Sequence, residues 1–270
     1  MSFDREPIVA GQFYADSFEQ WLDVVRGCMR GQTEREVTSK LVMVPHAGHV
    51  FSGNVAGKTL AQAKLADTVL LLGPNHTGMG APLAVWPDSK WNLPGASLTV
   101  DAELVRAFLE AEPALTADRV AHIQEHSLEV VLPFLWAKNP DLRIVPIVVG
   151  DPRPHKLGGA ASKIAEVLTA LGREVTVVVS SDMNHFASDA ATREIDKRAL
   201  APILALNPME FYGTVRGENI SMCGVLPMTM GMHLANIMGA KKAELVAYAT
   251  SGEVNGDLSR VVGYAGVIIE

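Results

Sequence analysis

Two histidines and one cysteine in this chain, His46, His76 and Cys223, are of residue types that bind transition metals, and each lies where a predicted strand or loop ends. His46 closes the mainly apolar run of residues 40–45, His76 closes the run of residues 68–75, and Cys223 lies in the short sequence SMCG. Imidazole nitrogen and thiolate sulfur are ligands for iron, copper and zinc. Because ligands bind outside the carboxyl ends of strands in an open α/β sheet, these positions predict a metal site at one rim.

A third strand end adds a carboxylate and another imidazole. The apolar run of residues 175–180 leads into the polar sequence SDMNH, which contains Asp182 and His185. Asp182 could bind the metal, orient a neighbouring imidazole, or form an Asx-turn that caps the next helix. His185 could be a ligand or a general acid or base, because the ordinary pKa of histidine is about 6.5. A lone histidine after a strand more often only hydrogen-bonds a loop, but histidines at three strand ends favour a site.

The sequence HIQEHSLE at residues 122–129 is dense in titratable groups at the start of a predicted helix. Glu125 and Glu129 are four residues apart and share one helix face. We predict that His126 enters the site as a catalytic residue, whereas Glu125 complements the positive end of the helix dipole. The spacing differs from that of the H-E-x-x-H zinc signature.

Cys223 has two interpretations. It lies in a polar-flanked segment ahead of Gly224, which suits a metal ligand or a reactive thiol, although a free cysteine is most often a small buried hydrophobe. The other cysteine, Cys28, lies on the apolar side of the first predicted helix and is interpreted as core. A nitrilase-like hydrolase with Cys223 as nucleophile would need a Glu and a Lys beside the thiol, and the local sequence offers no such arrangement.

The elements that must position these residues alternate between strands and helices. Strands are predicted over residues 40–45, 68–73, 83–86, 143–149, 174–180, 245–249 and 261–269, and helices over residues 18–29, 53–66, 101–110, 127–137, 155–171, 188–205, 209–216 and 226–238. This order predicts an α/β fold with a mainly parallel or mixed central sheet flanked by helices. No linker or repeat interrupts it, so we expect one domain over residues 1–270. The excursion at residues 78–95, with Trp86 and Trp91, is predicted to form a pocket wall.

The bulk composition excludes several classes of protein. Hydrophobic residues make up 48% of the 270 residues, which supports a large core, and the net charge of −7 argues against nucleic-acid binding. Two cysteines cannot form a disulfide framework. The sequence shows no signal peptide and no apolar stretch near the ~20 residues that span a bilayer. We therefore expect a soluble, cytoplasmic protein that makes no membrane contact.

The motifs together resemble the Memo family, also called protein B of the AmmeMemoRadiSam system. The resemblance runs nearly end to end and is carried by REPIVAGQFY at residues 5–14, PHAG at 45–48, SG at 52–53, GPNH at 73–76, EHSLE at 125–129, SDMNH at 181–185, MCG at 222–224 and GYAG at 263–266. It implies a fold like that of the class III extradiol ring-cleaving dioxygenases, in which two His and one Glu bind Fe(II) and a further His acts as acid and base.

Carried over to this chain, the resemblance implies that His46 and His76 are metal ligands and that His185 is the acid and base. Cys223 falls where those enzymes place their third protein ligand, and a thiolate there is softer than a carboxylate and can be oxidised by dioxygen. Catechol cleavage therefore does not follow from the fold.

Two functional hypotheses result. The first is an oxidoreductase in which Fe(II), or else Cu or Zn, binds to His46, His76 and Cys223, with His185, Asp182 and His126 as catalytic residues acting on a small aromatic or phenolic substrate with dioxygen. The alternative is a non-catalytic module that binds a metal, a peptide or a protein on a dioxygenase-derived scaffold. The family resemblance also implies radical-SAM and AMMECR-type proteins as partners.

Overall fold

A continuous sheet runs through the protein, which is described by a computed structural model over residues 3–270. Its strands are β1 (Leu41–Val44), β2 (Thr68–Pro74), β3 (Leu83–Val85), β4 (Lys90–Leu93), β5 (Ala96–Val100), β6 (Thr116–Ala117), β7 (Arg143–Val149), β8 (Thr176–Ser180), β9 (His185–Ala187), β10 (Ala243–Thr250) and β11 (Val261–Ile269). The main path of the sheet has the order β10-β11-β1-β8-β2-β7-β3-β6.

Helices cover the sheet and connect its strands. They are α1 (Phe18–Met29), α2 (His49–Gln62), α3 (Ala102–Ala111), α4 (Val120–Ile123), α5 (Leu132–Lys138), α6 (Pro154–Leu171), α7 (Asp189–Leu204), α8 (Pro208–Gly217), α9 (Val225–Ile237) and α10 (Gly252–Asn255), with a short 3-10 turn at Glu129–Val131. Helix α1 is capped by Ser17, whose side chain accepts a hydrogen bond from the backbone N–H of Gln20. No helix among residues 3–270 is long and apolar enough to cross a membrane.

Four adjacent strands, β1, β8, β2 and β7, pair in parallel and form the centre of the sheet. All residues of β1, β2 and β8 are buried, as expected for strands with helices on both faces. On both sides the block also has antiparallel neighbours, since β11 pairs with β1 and β3 pairs with β7, whereas β5 pairs with β7 in parallel. The predicted α/β fold with a mixed central sheet is therefore confirmed, and the parallel strands end at one common edge, called the rim below.

The predicted pocket wall at residues 78–95 is wrong. These residues instead contain β3 and β4, and β4 forms an antiparallel hairpin with β5. The side chains of Trp86 and Trp91 are 0% and 1% exposed and pack in the core. The Trp91 ring lies under the Arg5 guanidinium at 4.4 Å, so that this indole anchors the start of the chain.

Helix α2 begins earlier than predicted. The sequence placed the start of this helix at Gly53, whereas Gly53 and Gly57 both lie inside it. A Cβ at Gly57 would overlap the backbone and side chain of Cys28 on α1, so this glycine lets the two helices pack closely. Because α2 begins at His49, it follows the His46 loop directly and carries His49 into the interior, where it is 6% exposed. The predicted helix at residues 127–137 is likewise divided into the 3-10 turn and α5.

Candidate metal centre

The rim collects the side chains that the sequence indicated for chemistry. His46 follows β1, His76 follows β2, and Asp182 and His185 follow β8, which lies between β1 and β2 in the sheet. Cys223 lies just ahead of α9 and reaches the same place. The ligand atoms of His46, His76 and Cys223 all lie within 4.8 Å of one another. The structure thus brings together the three residues predicted as metal ligands.

His46 is 2% exposed, and its ring is held from behind by a hydroxyl. The Ser180 Oγ lies 2.6 Å from His46 Nδ1 and donates its own proton to the Ser127 carbonyl at 2.6 Å. Because the Ser180 hydroxyl donates its proton to the carbonyl, it can only accept from His46. His46 Nδ1 therefore carries the ring proton, and Nε2 keeps a free lone pair. Burial, with the neighbouring His76 and His126, holds the pKa of His46 well below its ordinary value, so this ring is neutral.

His76 is held by a carboxylate. Glu125 Oε1 accepts from His76 Nδ1 at 2.9 Å and Oε2 accepts from the His76 backbone N–H at 2.6 Å. The backbone N–H of Ser127 donates to the same Oε1 at 2.9 Å. Burial alone would raise the pKa of Glu125, but these hydrogen bonds outweigh it and lower the pKa to about 2. The prediction that Glu125 serves the helix dipole is wrong, because this carboxylate orients His76 as an outer partner orients a metal ligand.

Asp182 joins the loops that follow β1 and β8. Its Oδ1 accepts from the backbone N–H groups of His46 and Ala47 at 2.8 and 3.2 Å. It does not form an Asx-turn that caps the next helix, since Ser188 caps α7. Burial raises the pKa of Asp182 despite these two donors. Of the three roles considered for Asp182, the geometry supports the one that orients the His46 loop.

Cys223 lies against the Asp182 backbone, with Sγ 3.8 Å from the Asp182 carbonyl oxygen. The next residue must be glycine, because a Cβ at Gly224 would overlap the Ser181 side chain. Burial and the nearby Asp182 carboxylate raise the pKa of the Cys223 thiol. A free thiol with a raised pKa is a poor nucleophile, so the arrangement does not favour a nitrilase-like hydrolase. A bound metal ion would remove the proton and bind the thiolate.

His185 and His126 flank the central three residues. His185 Nδ1 lies 2.9 Å from the Ser221 carbonyl, which can only accept, so Nδ1 donates and Nε2 is the ring nitrogen left for a ligand. His126 stacks on His76 with ring centroids 4.8 Å apart and contacts the Phe13 ring at 4.9 Å. Burial lowers the pKa of His126, with His76 acting in the same direction and Glu125 opposing. Together with Asp182, all three side chains predicted as catalytic thus lie at the rim.

Three overlapping groups of donors exist among the described residues: His46 with His76 and Cys223, His76 with Glu125 and His126, and Asp182 with His185 and Cys223. The second group is already engaged, because Glu125 holds His76 Nδ1 and two backbone N–H groups. In the third group, Asp182 Oδ1 is occupied by two backbone donors. The first group alone has free imidazole lone pairs on both histidines and a soft sulfur donor, so it fits a borderline transition metal best.

Several residues that build the site could not be identified as site residues from the sequence motifs. In the sequence, Ser180 could be recognised only as the end of an apolar strand, although its hydroxyl fixes the His46 ring. Ser127 acts through its carbonyl, which any residue provides. The pattern of Glu125 and Glu129 placed both on one helix, but the segment is not helical until residue 129. The two carboxylates therefore face different partners.

Comparisons with known proteins agree with one another. A sequence family described as "Memo-like protein" matches residues 5–268. A MEMO1 family protein of Methanosarcina barkeri is 37% identical over 98% of this chain and 100% of its own length. One from Aquifex aeolicus is 36% identical over 98% of each chain. Among solved structures, an uncharacterized protein of Escherichia coli K12 is similar in fold, with a TM-score of 0.57 and 11% identity over 84% of this chain and 98% of its own.

Proposed function

The chain belongs to the Memo family, and on that premise we propose that it binds a redox-active transition metal, iron first, through His46, His76 and Cys223. The proposal rests on the orientation of the two imidazole rings. Ser180 and Glu125 each hold an Nδ1, so that both rings present Nε2 beside the Cys223 sulfur. Imidazoles in metal sites are held in this manner by outer hydrogen-bond partners.

The donor set favours a borderline or soft ion. Two imidazoles and one thiolate suit iron, copper or zinc, whereas magnesium and calcium prefer oxygen ligands. Iron is proposed first because two histidines and one further protein ligand leave coordination positions open. The chemistry that iron supplies when bound is electron exchange with dioxygen and a small ligand at those open positions.

We propose further that the site acts on a small phenolic or other aromatic molecule, as a metal-dependent oxidoreductase. In this proposal His185 accepts and returns the proton of a substrate hydroxyl through Nε2, while its Nδ1–H stays on the Ser221 carbonyl. Asp182 keeps the His46 loop in place through two backbone N–H groups. His126 stacks on His76 and bounds the site on the side of Phe13.

A second function is favoured by one specific observation, the sulfur donor. Cys223 stands where a ring-cleaving enzyme would keep a carboxylate, and a thiolate beside dioxygen is open to oxidation. The same three residues would then hold a metal for storage or delivery without turnover. This alternative shares the metal site with the first proposal and differs only in the reaction.

Metal binding is tested by loading the purified protein with Co(II) and recording its absorption spectrum. A sulfur-to-cobalt charge-transfer band in the wild type, absent in Cys223→Ser, is the expected result. His46→Ala should bind less cobalt than the wild type. Equal cobalt content and equal spectra in the wild type and both variants would overturn the metal site.

Turnover is tested separately, by loading Fe(II) without oxygen and then adding a panel of catechols and oxygen. Oxygen uptake that requires both iron and a catechol, and that falls about 100-fold or more in His185→Gln with iron content unchanged, supports the oxidoreductase. Stable iron binding without any uptake across the panel would contradict it and leave the storage or delivery function.

A further inference from the structure

Both of the proposed imidazole ligands are held by one short stretch of chain, residues 125–129, called the tether segment here. Glu125 holds His76 Nδ1 directly. The Ser127 carbonyl holds the Ser180 hydroxyl, which in turn holds His46 Nδ1. The tether segment also packs tightly on β2, because a Cβ at Gly73 would overlap Ser127 and Leu128. A shift of this segment would therefore disturb both rings at once.

The tether segment is fixed at its far end by a fully buried carboxylate. Glu129 is 0% exposed and forms an ion pair with Arg5 at 2.6 Å. Its Oε1 accepts from the backbone N–H of Val9 and from the Tyr14 hydroxyl, and the backbone N–H of Ile8 also donates to the carboxylate. These donors all come from residues 5–14, which we call the N-terminal strap. Every donor to Glu129 named here thus belongs to the strap.

Arg5 also holds the start of the tether segment. Its Nη2 donates to the Glu125 carbonyl at 2.7 Å and its Nε donates to the His122 carbonyl at 3.2 Å. The guanidinium is planar and lies over Trp91, so its donors point in fixed directions that a lysine could not reproduce. The strap itself is anchored by backbone hydrogen bonds of Arg5 to Lys90 and Asn92 on β4. Through Arg5, strand β4 therefore helps to fix the position of Glu125, whose carboxylate orients His76.

We propose that Arg5 and Glu129 are positioning residues for the metal centre: through the tether segment they keep both imidazoles in the Nδ1–H form with Nε2 free. This inference deepens the proposed metal-binding function, because it concerns the same two rings, but its first consequence is a property of the metal-free protein. A buried ion pair that served only the stability of the fold would leave the tautomers of His46 and His76 unchanged when weakened.

The test compares Glu129→Gln with a matched control, Asp101→Asn. Asp101 is also a buried carboxylate, 2% exposed, paired with an arginine, Arg173, at 2.5 Å. It lies at the opposite edge of the sheet, where its backbone N–H donates to Ile144 near the start of β7. Both substitutions remove a buried negative charge and keep the shape of the side chain. Because Arg173 is 31% exposed whereas Arg5 is 2% exposed, Asp101→Asn should lower the denaturation midpoint less than Glu129→Gln.

Two readouts separate positioning from stability. Imidazole 15N NMR of the metal-free protein should show His46 and His76 as Nδ1–H tautomers in the wild type and in Asp101→Asn, and a mixture of tautomers in Glu129→Gln. The Co(II) dissociation constant should rise about 10-fold in Glu129→Gln and stay at the wild-type value in Asp101→Asn. Wild-type tautomers and affinity in Glu129→Gln, or equal changes in both variants, would overturn the proposal.

A milder variant keeps the test decisive if Glu129→Gln does not fold. Tyr14→Phe removes one donor to Glu129 and no charge, and it should shift both readouts in the same direction by a smaller amount. Unchanged spectra and affinity in a folded Tyr14→Phe would then count against the proposal. If the wild type binds no cobalt, the proposed function fails, yet the tautomer spectra of the metal-free variants still decide whether the strap positions the rings.

Discussion

Three of the four histidines at the rim and two histidines of the interior are bonded through opposite ring nitrogens. At the rim, His46, His76 and His185 are all held at Nδ1. In the interior, His49 and His122 are held at Nε2, by the carbonyls of Val130 and Ala84. The Nδ1 atoms of these two interior rings are buried and have no hydrogen-bond partner among residues 3–270.

This difference distinguishes histidines that can bind a ligand from histidines that contribute to core packing. A ring held at Nδ1 presents the outer nitrogen, at the far end of the side chain, where a metal can approach. A ring held at Nε2 keeps its free nitrogen next to its own backbone, where a large ion has no access. His49 packs between the Tyr14 and Phe134 rings at 5.6 and 4.7 Å, as an aromatic core residue would. Four predictions test whether this division is real.

The largest effect is expected from removing a rim ring. His46→Ala should weaken Co(II) binding by more than about 100-fold, the upper range for losing only an outer partner of a ligand. His49→Ala, three residues away in sequence, should leave the cobalt dissociation constant unchanged while lowering the denaturation midpoint. Isothermal titration with cobalt and thermal melts of both variants provide the measurements. Comparable loss of cobalt in both would abolish the distinction between rim and interior.

The interior rings should make the fold sensitive to acid. Burial lowers the pKa of His49 from 6.5 to about 4. A folded pKa below the unfolded value means that the stability contributed by the neutral ring is complete above pH 6.5 and is lost as the pH falls towards 4. We expect about 3 kcal/mol of this loss to come from His49. Urea unfolding at several pH values should show a shallower decline in His49→Gln, and an identical decline in both proteins would refute this account.

The thiol should make metal binding depend on pH. Because burial and the Asp182 carboxylate raise the pKa of Cys223, the thiol carries its proton until a metal displaces it. One proton is then released on binding, and the cobalt dissociation constant should fall about tenfold per pH unit between about pH 7 and 8.5. Cys223→Ser should bind more weakly and with a flatter dependence. A slope that is the same in both proteins would exclude the thiolate as the ligand.

The smallest effect is expected for His185. This residue belongs, with Asp182 and Cys223, to an alternative group of possible metal ligands. If the metal binds to His46, His76 and Cys223, His185→Gln should change the cobalt dissociation constant by less than about tenfold, as expected for a neighbour of a site rather than a ligand. A loss as large as that of His46→Ala would assign the metal to Asp182, His185 and Cys223 instead.

Much of the fold and the composition of the rim could be predicted from the sequence. Continuous apolar runs placed β1, β2, β7 and β8, and the rule that ligands gather at the carboxyl ends of parallel strands placed His46, His76 and His185 together. The strand at residues 261–269 was predicted with the bounds that the structure has. Most of the candidate site could thus be predicted, because three of its four imidazoles lie within two residues of a strand end or begin a strand.

The orientation of these side chains could not be predicted. It depends on contacts between residues that are far apart in the chain, such as Arg5 with Glu129 and His46 with Ser180. Hydrophobic periodicity reports which face of an element is buried, but not which hydroxyl or carboxylate meets a ring across the sheet. The same limit explains Trp86 and Trp91, which were predicted to line a pocket although both indoles lie in the core.

The pairing of β1 with both β8 and β11 has a consequence for when the metal centre can form. His46 directly follows β1, and β1 has no neighbour in the sheet until residues 176–180 and 261–269 have been synthesised. A nascent chain of which only the first half has been synthesised would contain His46 and His76, but not Ser180, Cys223 or the strand β11 that pairs with β1. The proposed metal site is therefore complete only once residues 176–180, Cys223 and residues 261–269 have been made and have folded together with β1.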